Sequence, residues 1–182
     1  MFVQTEITPN PNSLKFIPGK PVSKSGPIEI TNKDEINNDL IRNVLSINGV
    51  TGIFLGEDFL SVNKEENKDW EDVKHIVISL INEFYAEGKE FVIDKNVDEK
   101  AQEDFVEIEK QIIKILETKI RPAVARDGGD IKFKKFKDGV VTVQLQGSCS
   151  GCPSSTMTLK QGVQNLLCHY IPDVKEVIAL EN

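Results

Sequence analysis

Apolar residues in the first half of the chain occur either in short strand-like runs or at helical spacing. The two prolines of residues 8–12 fix the backbone and remove donors, so this polar stretch predicts a turn between two strands. Apolar residues recur at helical spacing from Asn32 until just before Gly49, and again after Asp69, which predicts two amphipathic helices. The predicted elements are strands at residues 2–7, 13–17, 50–55 and 59–62, helices from 32 to 48 and from 70 to about 87, and a short edge strand at 91–93.

The second half shows the same two kinds of spacing. Apolar residues alternate with lysines in one segment and with Thr and Gln in the next, which predicts a hairpin of two half-buried strands. We expect the helix before this hairpin to end near Arg121, because Pro122 disfavours helical backbone in the residue that precedes it. The predicted elements are a helix from 105 to about 121, a turn at 128–130, strands at 131–133 and 141–145 joined at 137–139, a helix at 154–170 and a strand at 174–180.

The stretch between these halves differs from both. Residues 94–104 form a charged run with little apolar content to bury, which predicts a linker. The fold class that follows is α+β, with two small α+β domains at residues 1–93 and 105–182 joined by this acidic linker. The second domain is expected to have the element order αββαβ.

Composition limits the kinds of partner. A chain of 182 residues with 39% hydrophobic residues can bury one medium core or two small ones. No apolar run approaches the ~18 residues that a membrane-crossing helix needs, and no targeting segment is recognised at the N-terminus. Residues 1–104 carry 11 Lys and Arg against 20 Asp and Glu, whereas residues 105–182 carry 11 against 9. We therefore expect a soluble protein without a membrane or nucleic-acid partner, and two units with different partners.

The three cysteines are the candidates for chemistry. An odd number of cysteines without a secretion signal argues against a disulfide framework and for a reducing compartment. Cys149 and Cys152 lie at C-x-x-C spacing between a predicted strand and a predicted helix. A helix N-terminus stabilises thiolate, the form that binds metal, and Gly147 and Gly151 allow the backbone to approach a metal centre closely. This pair is the candidate metal site.

One chain supplies only part of a four-ligand site. Cys168 and His169 are the obvious additional ligands, but they follow Cys152 by more than four helical turns, which is a distance of about 20 Å. Four cysteines are the usual complement of an iron-sulfur cluster, and two chains would supply four. Three alternatives stay open on residue chemistry alone: a dithiol/disulfide oxidoreductase, a disulfide or pair of partly buried thiols, and an interaction module.

Motifs in both halves carry a family resemblance. The sequence Arg-Asp-Gly-Gly-Asp at 126–130, then a hairpin, then Gly-Ser-Cys-Ser-Gly-Cys-Pro-Ser-Ser at 147–155 opening a helix, resembles the C-terminal domain of NifU-type proteins. Thr-Pro-Asn-Pro-Asn-Ser-Leu-Lys-Phe at 8–16 and Gly-Val-Thr-Gly-Ile-Phe at 49–54 resemble the N-terminal domain of Nfu-type scaffolds. Together the resemblance covers nearly the whole chain.

The resemblance implies a non-enzymatic, late-acting protein of iron-sulfur cluster biogenesis. Carried over residue by residue, Cys149 and Cys152 are the cluster ligands, and two protomers bridge one [4Fe-4S] cluster as a homodimer. The implied partners are upstream cluster assembly factors and apo iron-sulfur client proteins. The implied location is the cytoplasm of a bacterium, or the mitochondrial matrix if this is a mature eukaryotic chain.

Overall fold

The computed structural model describes residues 2–91 and 105–180, which form two compact units, Met1–Lys95 and Asn96–Asn182. Each unit has its own hydrophobic core and contains both helices and a sheet, so the predicted α+β class with two domains is confirmed. The predicted linker at 94–104 lies outside the described residues. Within the described ranges, no helix is both long and apolar enough to span a membrane.

The first unit is an antiparallel sheet covered by two helices. The strand order is β1-β2-β5-β4-β3, and each pair of neighbours is antiparallel. Its core joins Phe16, Ile53 and Val62 of the sheet to Val44 and Val77 of the helices. The elements are β1 (Gln4–Ile7), β2 (Ser13–Ile17), β3 (Ile28–Ile30), α1 (Asp39–Leu45), β4 (Val50–Leu55), β5 (Leu60–Lys64) and α2 (Trp70–Ala86).

The first helix is shorter than its hydrophobic spacing predicts. Ile36 has extended backbone, and α1 begins only at Asp39, preceded by a short 3-10 turn at Lys33–Glu35. The cause is the side chain of Asn38, whose Oδ1 accepts a hydrogen bond from Ile41 N at 3.2 Å and starts a new helix there. The prediction that this helix begins at Asn32 was therefore wrong, although the helix itself exists.

Two further elements differ at the edges of the first unit. Strand β3 was not predicted, because three residues are too few to show a period. Phe91, where an edge strand was expected, is buried in the core without belonging to a strand, and residues 92 and 93 lie outside the described residues.

The polar loop between β1 and β2 is fastened to the rest of the first unit. Trp70 Nε1 donates to the carbonyl oxygen of Pro11 at 2.9 Å, and Lys64 Nζ donates to Asn12 Oδ1 at 3.1 Å. Lys64 is itself buried and lies over the Trp70 ring, 5.5 Å from its centroid. The residues of this motif thus have a structural role in joining the loop to β5 and α2.

The second unit is a three-stranded sheet packed against helices, in strand order β6-β7-β8. Strands β6 and β7 form an antiparallel hairpin, whereas β7 and β8 are parallel. Parallel neighbours need a crossover connection, and α5 provides it. The elements are α3 (Glu107–Ile115), a π-helical segment (Leu116–Ile120), α4 (Arg121–Arg126), β6 (Gly129–Lys137), β7 (Val140–Gly147), α5 (Pro153–Tyr170) and β8 (Glu176–Leu180). The predicted order αββαβ is confirmed if the three consecutive helical segments are counted as one helix.

Helical backbone continues past the proline that was expected to end it. The widened segment Leu116–Ile120 precedes Pro122, and the backbone N–H of Arg121 donates to the carbonyl of Leu116, five residues earlier. Pro122 then lies in the first turn of α4, where a backbone N–H has no intrahelical partner to lose. The prediction that the helix ends near Arg121 was wrong for this reason.

The hairpin turn is as predicted. Asp138 and Gly139 connect β6 to β7 with φ angles of 53° and 80°, which is the pattern of a two-residue turn with both central residues in the left-handed region. The Asp-Gly pair is the common sequence for such a turn. It fixes the pairing of β6 and β7 from Lys137 to Lys135, and the register then shifts by one residue before Phe133.

An ion pair connects α4 to the start of β6. Arg121 Nε donates to Asp130 Oδ1 at 2.8 Å, and its Nη2 donates to Asp130 Oδ2 at 3.0 Å. The Asp130 side chain is 5% exposed, so the paired guanidinium compensates a carboxylate that has lost most of its hydration. The same pairing raises the pKa of Arg121, chiefly through the hydrogen bond to Asp130. The pair therefore fixes the helix against the strand that begins at Gly129.

We predict that Arg121→Ala lowers the free energy of unfolding of the second unit by about 3 kcal/mol, because Asp130 is left buried without a counter-charge. Urea denaturation followed by circular dichroism measures the change. Glu117→Ala is the matched control, since Glu117 contacts the same Arg121 at 3.9 Å from an exposed position and its loss should cost less than about 1 kcal/mol. Equal effects of both substitutions would contradict this account.

Candidate metal centre

The two cysteines lie on the loop between β7 and α5. Gly147 ends β7 with a φ of 66°, and Gly151 has a φ of 75°, so both take backbone conformations that favour glycine. Cys152 is the residue that immediately precedes Pro153, the first residue of α5. The first N–H groups of a helix have no partner within it, so the loop presents both thiols at a positive helix end.

Hydrogen bonds from hydroxyl groups hold the loop. The hydroxyl of Ser148 donates to the carbonyl oxygen of Asp127 in the preceding turn, and the Ser148 N–H donates to the Gly128 carbonyl at 3.2 Å. Ser150 Oγ donates to the Gly147 carbonyl at 2.9 Å. The turn at 127–128, which the sequence analysis singled out as part of a motif, thus supports the loop of the cysteines.

Both cysteine side chains are buried. Cys149 is 7% exposed and Cys152 is 8% exposed, and Cys149 forms part of the core of the second unit. Burial raises the pKa of the Cys149 thiol to about 12, helped by the negative charges of Asp127 and Asp130 and only partly offset by hydrogen bonding from Ser148. The expectation of a lowered pKa at this helix end is wrong for Cys149, because loss of hydration outweighs the helix dipole. Metal binding must therefore displace a firmly held proton.

Gly129 makes room for the Cys149 thiol. A Cβ atom on Gly129 would lie 2.5 Å from Cys149 Sγ and 2.7 Å from the carbonyl oxygen of Gln146. Both distances are shorter than any normal contact, and the second involves backbone that cannot rotate away. Gly129 also pairs directly with Gly147 across the hairpin. Sequence reasoning took Gly129 only as a turn residue. Its pairing with Gly147 could not be found by counting back from the turn at 138–139, because the register shifts by one residue between Phe133 and Lys135.

The remaining candidate ligands are at the other end of α5. The helix is unbroken from Pro153 to Tyr170, so Cys168 lies about 20 Å from Cys152 by helix rise. Cys168 is partly buried against the core, and the His169 ring packs against Tyr170. Within residues 2–91 and 105–180, no three His, Cys, Asp or Glu side chains come together as a possible metal site.

The arrangement therefore offers two sulfur ligands per chain. Cys149 and Cys152 lie on one loop and are not joined in a disulfide, and thiolate sulfur is the ligand that zinc, copper(I) and iron-sulfur clusters prefer. The donor set fits an iron-sulfur cluster that is completed by ligands from elsewhere.

Two family models match the chain. The NifU-like domain matches residues 112–178, which include both cysteines, and the domain described as scaffold protein Nfu/NifU N terminal matches residues 3–88. The human mitochondrial NFU1 iron-sulfur cluster scaffold homolog is 45% identical over 180 residues, covering 97% of this chain and 71% of that protein. The chain belongs to the Nfu family of iron-sulfur cluster scaffold proteins. Because that family has a scaffold or carrier role, which is non-catalytic, the prediction that the chain is not an enzyme is confirmed.

Other Nfu-family relatives have similar coverage. Mitochondrial NifU-like protein 4 of Arabidopsis thaliana is 41% identical over 184 residues, covering 97% of this chain and 65% of that protein. Among solved structures, a NifU-like protein from Saccharomyces cerevisiae is 32% identical with a TM-score of 0.47, over 52% of this chain and 86% of that chain. The two family models and the curated relatives confirm the predicted resemblance to Nfu-type scaffolds over both halves of the chain.

We predict that Gly129→Ala displaces the Cys149 thiol, abolishes iron uptake and destabilises the second unit by roughly 1–3 kcal/mol through overpacking. Iron content after anaerobic reconstitution and urea denaturation measure the two effects. Gly162→Ala is the matched control, because a Cβ there meets nothing within 4 Å and Ala favours a helix interior by about 0.5–1 kcal/mol. Normal iron uptake by Gly129→Ala would show that the close contact with Cys149 does not matter.

Proposed function

We propose that this protein holds a [4Fe-4S] cluster between two protomers, through Cys149 and Cys152 of each, and transfers it to apo-proteins. The observation that carries the proposal is the pair of thiols on one short loop, with Cys168 at the far end of an unbroken helix. Four thiolates are the usual ligand set of such a cluster, and two loops together supply four.

A cluster shared between protomers suits transfer better than permanent storage. Each chain would hold only half of the ligand set, so separation of the protomers exposes the cluster to thiolates of a recipient. Hydrogen bonds join this loop to the carbonyl oxygens of Asp127 in the neighbouring turn and of Gly147 at the end of β7. Opening the loop therefore does not require the strands of the sheet to separate. Apo iron-sulfur proteins are the recipients that we propose, and upstream assembly factors are the donors.

A dithiol oxidoreductase is less well supported. Redox-active C-x-x-C cysteines are partly exposed thiols with a lowered pKa, because the thiolate is the nucleophile. Cys149 is 7% exposed, and burial raises its pKa to about 12. Such a thiol reacts slowly as a nucleophile, whereas a metal can still bind it by displacing the proton.

The names of the relatives bear on location. Both curated relatives described above are named as mitochondrial proteins. This favours the mitochondrial matrix over the bacterial cytoplasm as the compartment in which we propose that this chain works.

We predict that Cys149→Ala and Cys152→Ala each abolish cluster binding while the fold remains, because each removes one of only two thiolates that a chain contributes. The visible absorbance and the iron content after anaerobic reconstitution measure binding, and circular dichroism measures the fold. Cys168→Ala should bind the cluster normally. Loss of iron in Cys168→Ala would contradict the ligand assignment.

We also predict that the metal-free protein is monomeric and the cluster-loaded protein dimeric, with four irons for every two chains. Each chain carries a net charge of −7, so repulsion opposes a dimer that has no cluster, although physiological salt screens charges beyond about 8 Å. Gel filtration with iron analysis tests this, and chelation should reverse the size shift. Four irons on a stable monomer would disprove sharing between protomers.

A further inference from the structure

Four hydroxyl side chains are described around the cysteine loop, and three of them use their proton on backbone carbonyls. Ser148 donates to Asp127 and Ser150 to Gly147, as described above. Thr156 Oγ1 donates to the Cys149 carbonyl oxygen at 3.2 Å.

The fourth hydroxyl contacts a thiol. Ser154 lies in the first turn of α5, and its Oγ is 3.4 Å from Cys152 Sγ. Either atom can donate while Cys152 carries its proton. Once Cys152 is deprotonated and bound to iron, its sulfur can only accept, so Ser154 becomes the donor of a charge-assisted hydrogen bond.

We infer that Ser154 is a positioning residue that donates a hydrogen bond to the metal-bound sulfur of Cys152 and thereby adjusts the electronic properties of the bound cluster. This inference rests on the proposed function, since it concerns the same loop. Its basis is the 3.4 Å contact between Ser154 Oγ and Cys152 Sγ.

The physical effect has a definite sign. A hydrogen bond to a ligand sulfur withdraws electron density from it, so that the sulfur donates less to iron and the reduced cluster is stabilised. Ser154 therefore raises the reduction potential of the cluster.

The first experiment measures the reduction potential of the reconstituted cluster by spectroelectrochemistry. We expect Ser154→Ala to bind a full complement of iron at a more negative potential, and Ser154→Thr to keep the wild-type potential because it restores the hydroxyl. Thr158→Ala is the control, since Thr158 lies one turn further along α5 and donates to the carbonyl oxygen of Ser154. An unchanged potential in Ser154→Ala, or equal shifts in Ser154→Ala and Thr158→Ala, would overturn the inference.

The second experiment separates this inference from the proposed function by using cobalt(II) alone. A hydrogen bond lowers the energy of the sulfur lone pairs, so its removal moves the sulfur-to-cobalt charge-transfer absorption of Ser154→Ala to longer wavelength. Ser154→Thr and Thr158→Ala should keep the wild-type band. If wild-type protein takes up no iron-sulfur cluster, the proposed function fails while the cobalt spectrum still tests Ser154. An unmoved cobalt band in Ser154→Ala rejects the role of Ser154 whatever the iron result.

Discussion

The close approach of Gly129 to the sulfur of Cys149 is the contact on which the site depends. Cys149 is buried beside the end of the hairpin that lies away from the turn. A side chain at position 129 would overlap with the Cys149 sulfur atom. Gly129 lies opposite Gly147 because the register that begins at the turn of Asp138 and Gly139 shifts by one residue between Phe133 and Lys135. Glycine at position 129 thus connects the geometry of the sheet with the chemistry of the loop.

The cysteine side chains are buried, whereas the proposed sharing of a cluster between protomers requires them to be exposed. Cys149 belongs to the hydrophobic core, and burial raises the pKa of its thiol. The proposed sharing of a cluster requires the loop to move outward, and its hydrogen bonds to the Asp127 and Gly147 carbonyls are contacts that such a movement would change. A loop with glycines at both ends can make this movement without moving β7 or α5.

Sequence patterns predicted correctly those elements whose formation depends on residues that are neighbours in the chain. The Asp138–Gly139 turn, the alternation in β6 and β7 and the uninterrupted spacing of α5 all follow from neighbouring residues. The start of α1 was mispredicted because the Asn38 side chain caps the helix there, although the apolar spacing begins earlier. The helix end was mispredicted because a widened turn before Pro122 allows the helical backbone to continue. The cysteine pair was recognisable from its spacing, but neither the burial that raises the pKa of Cys149 nor the space left by Gly129 could be read from the loop alone, since both arise from strands folding over it.

The widened turn at Leu116–Ile120 determines how the second unit would respond to the deletion of a residue. A π-helical turn accommodates one more residue than an α-helical turn, so it advances the following residues by about 100° around the helix axis relative to a regular helix. With that advance, Ile112 and Leu116 face the core while Arg121 still faces Asp130. Loss of one residue from this turn would keep the helix but rotate the guanidinium away from the carboxylate. The length of this segment therefore determines whether the guanidinium of Arg121 reaches Asp130.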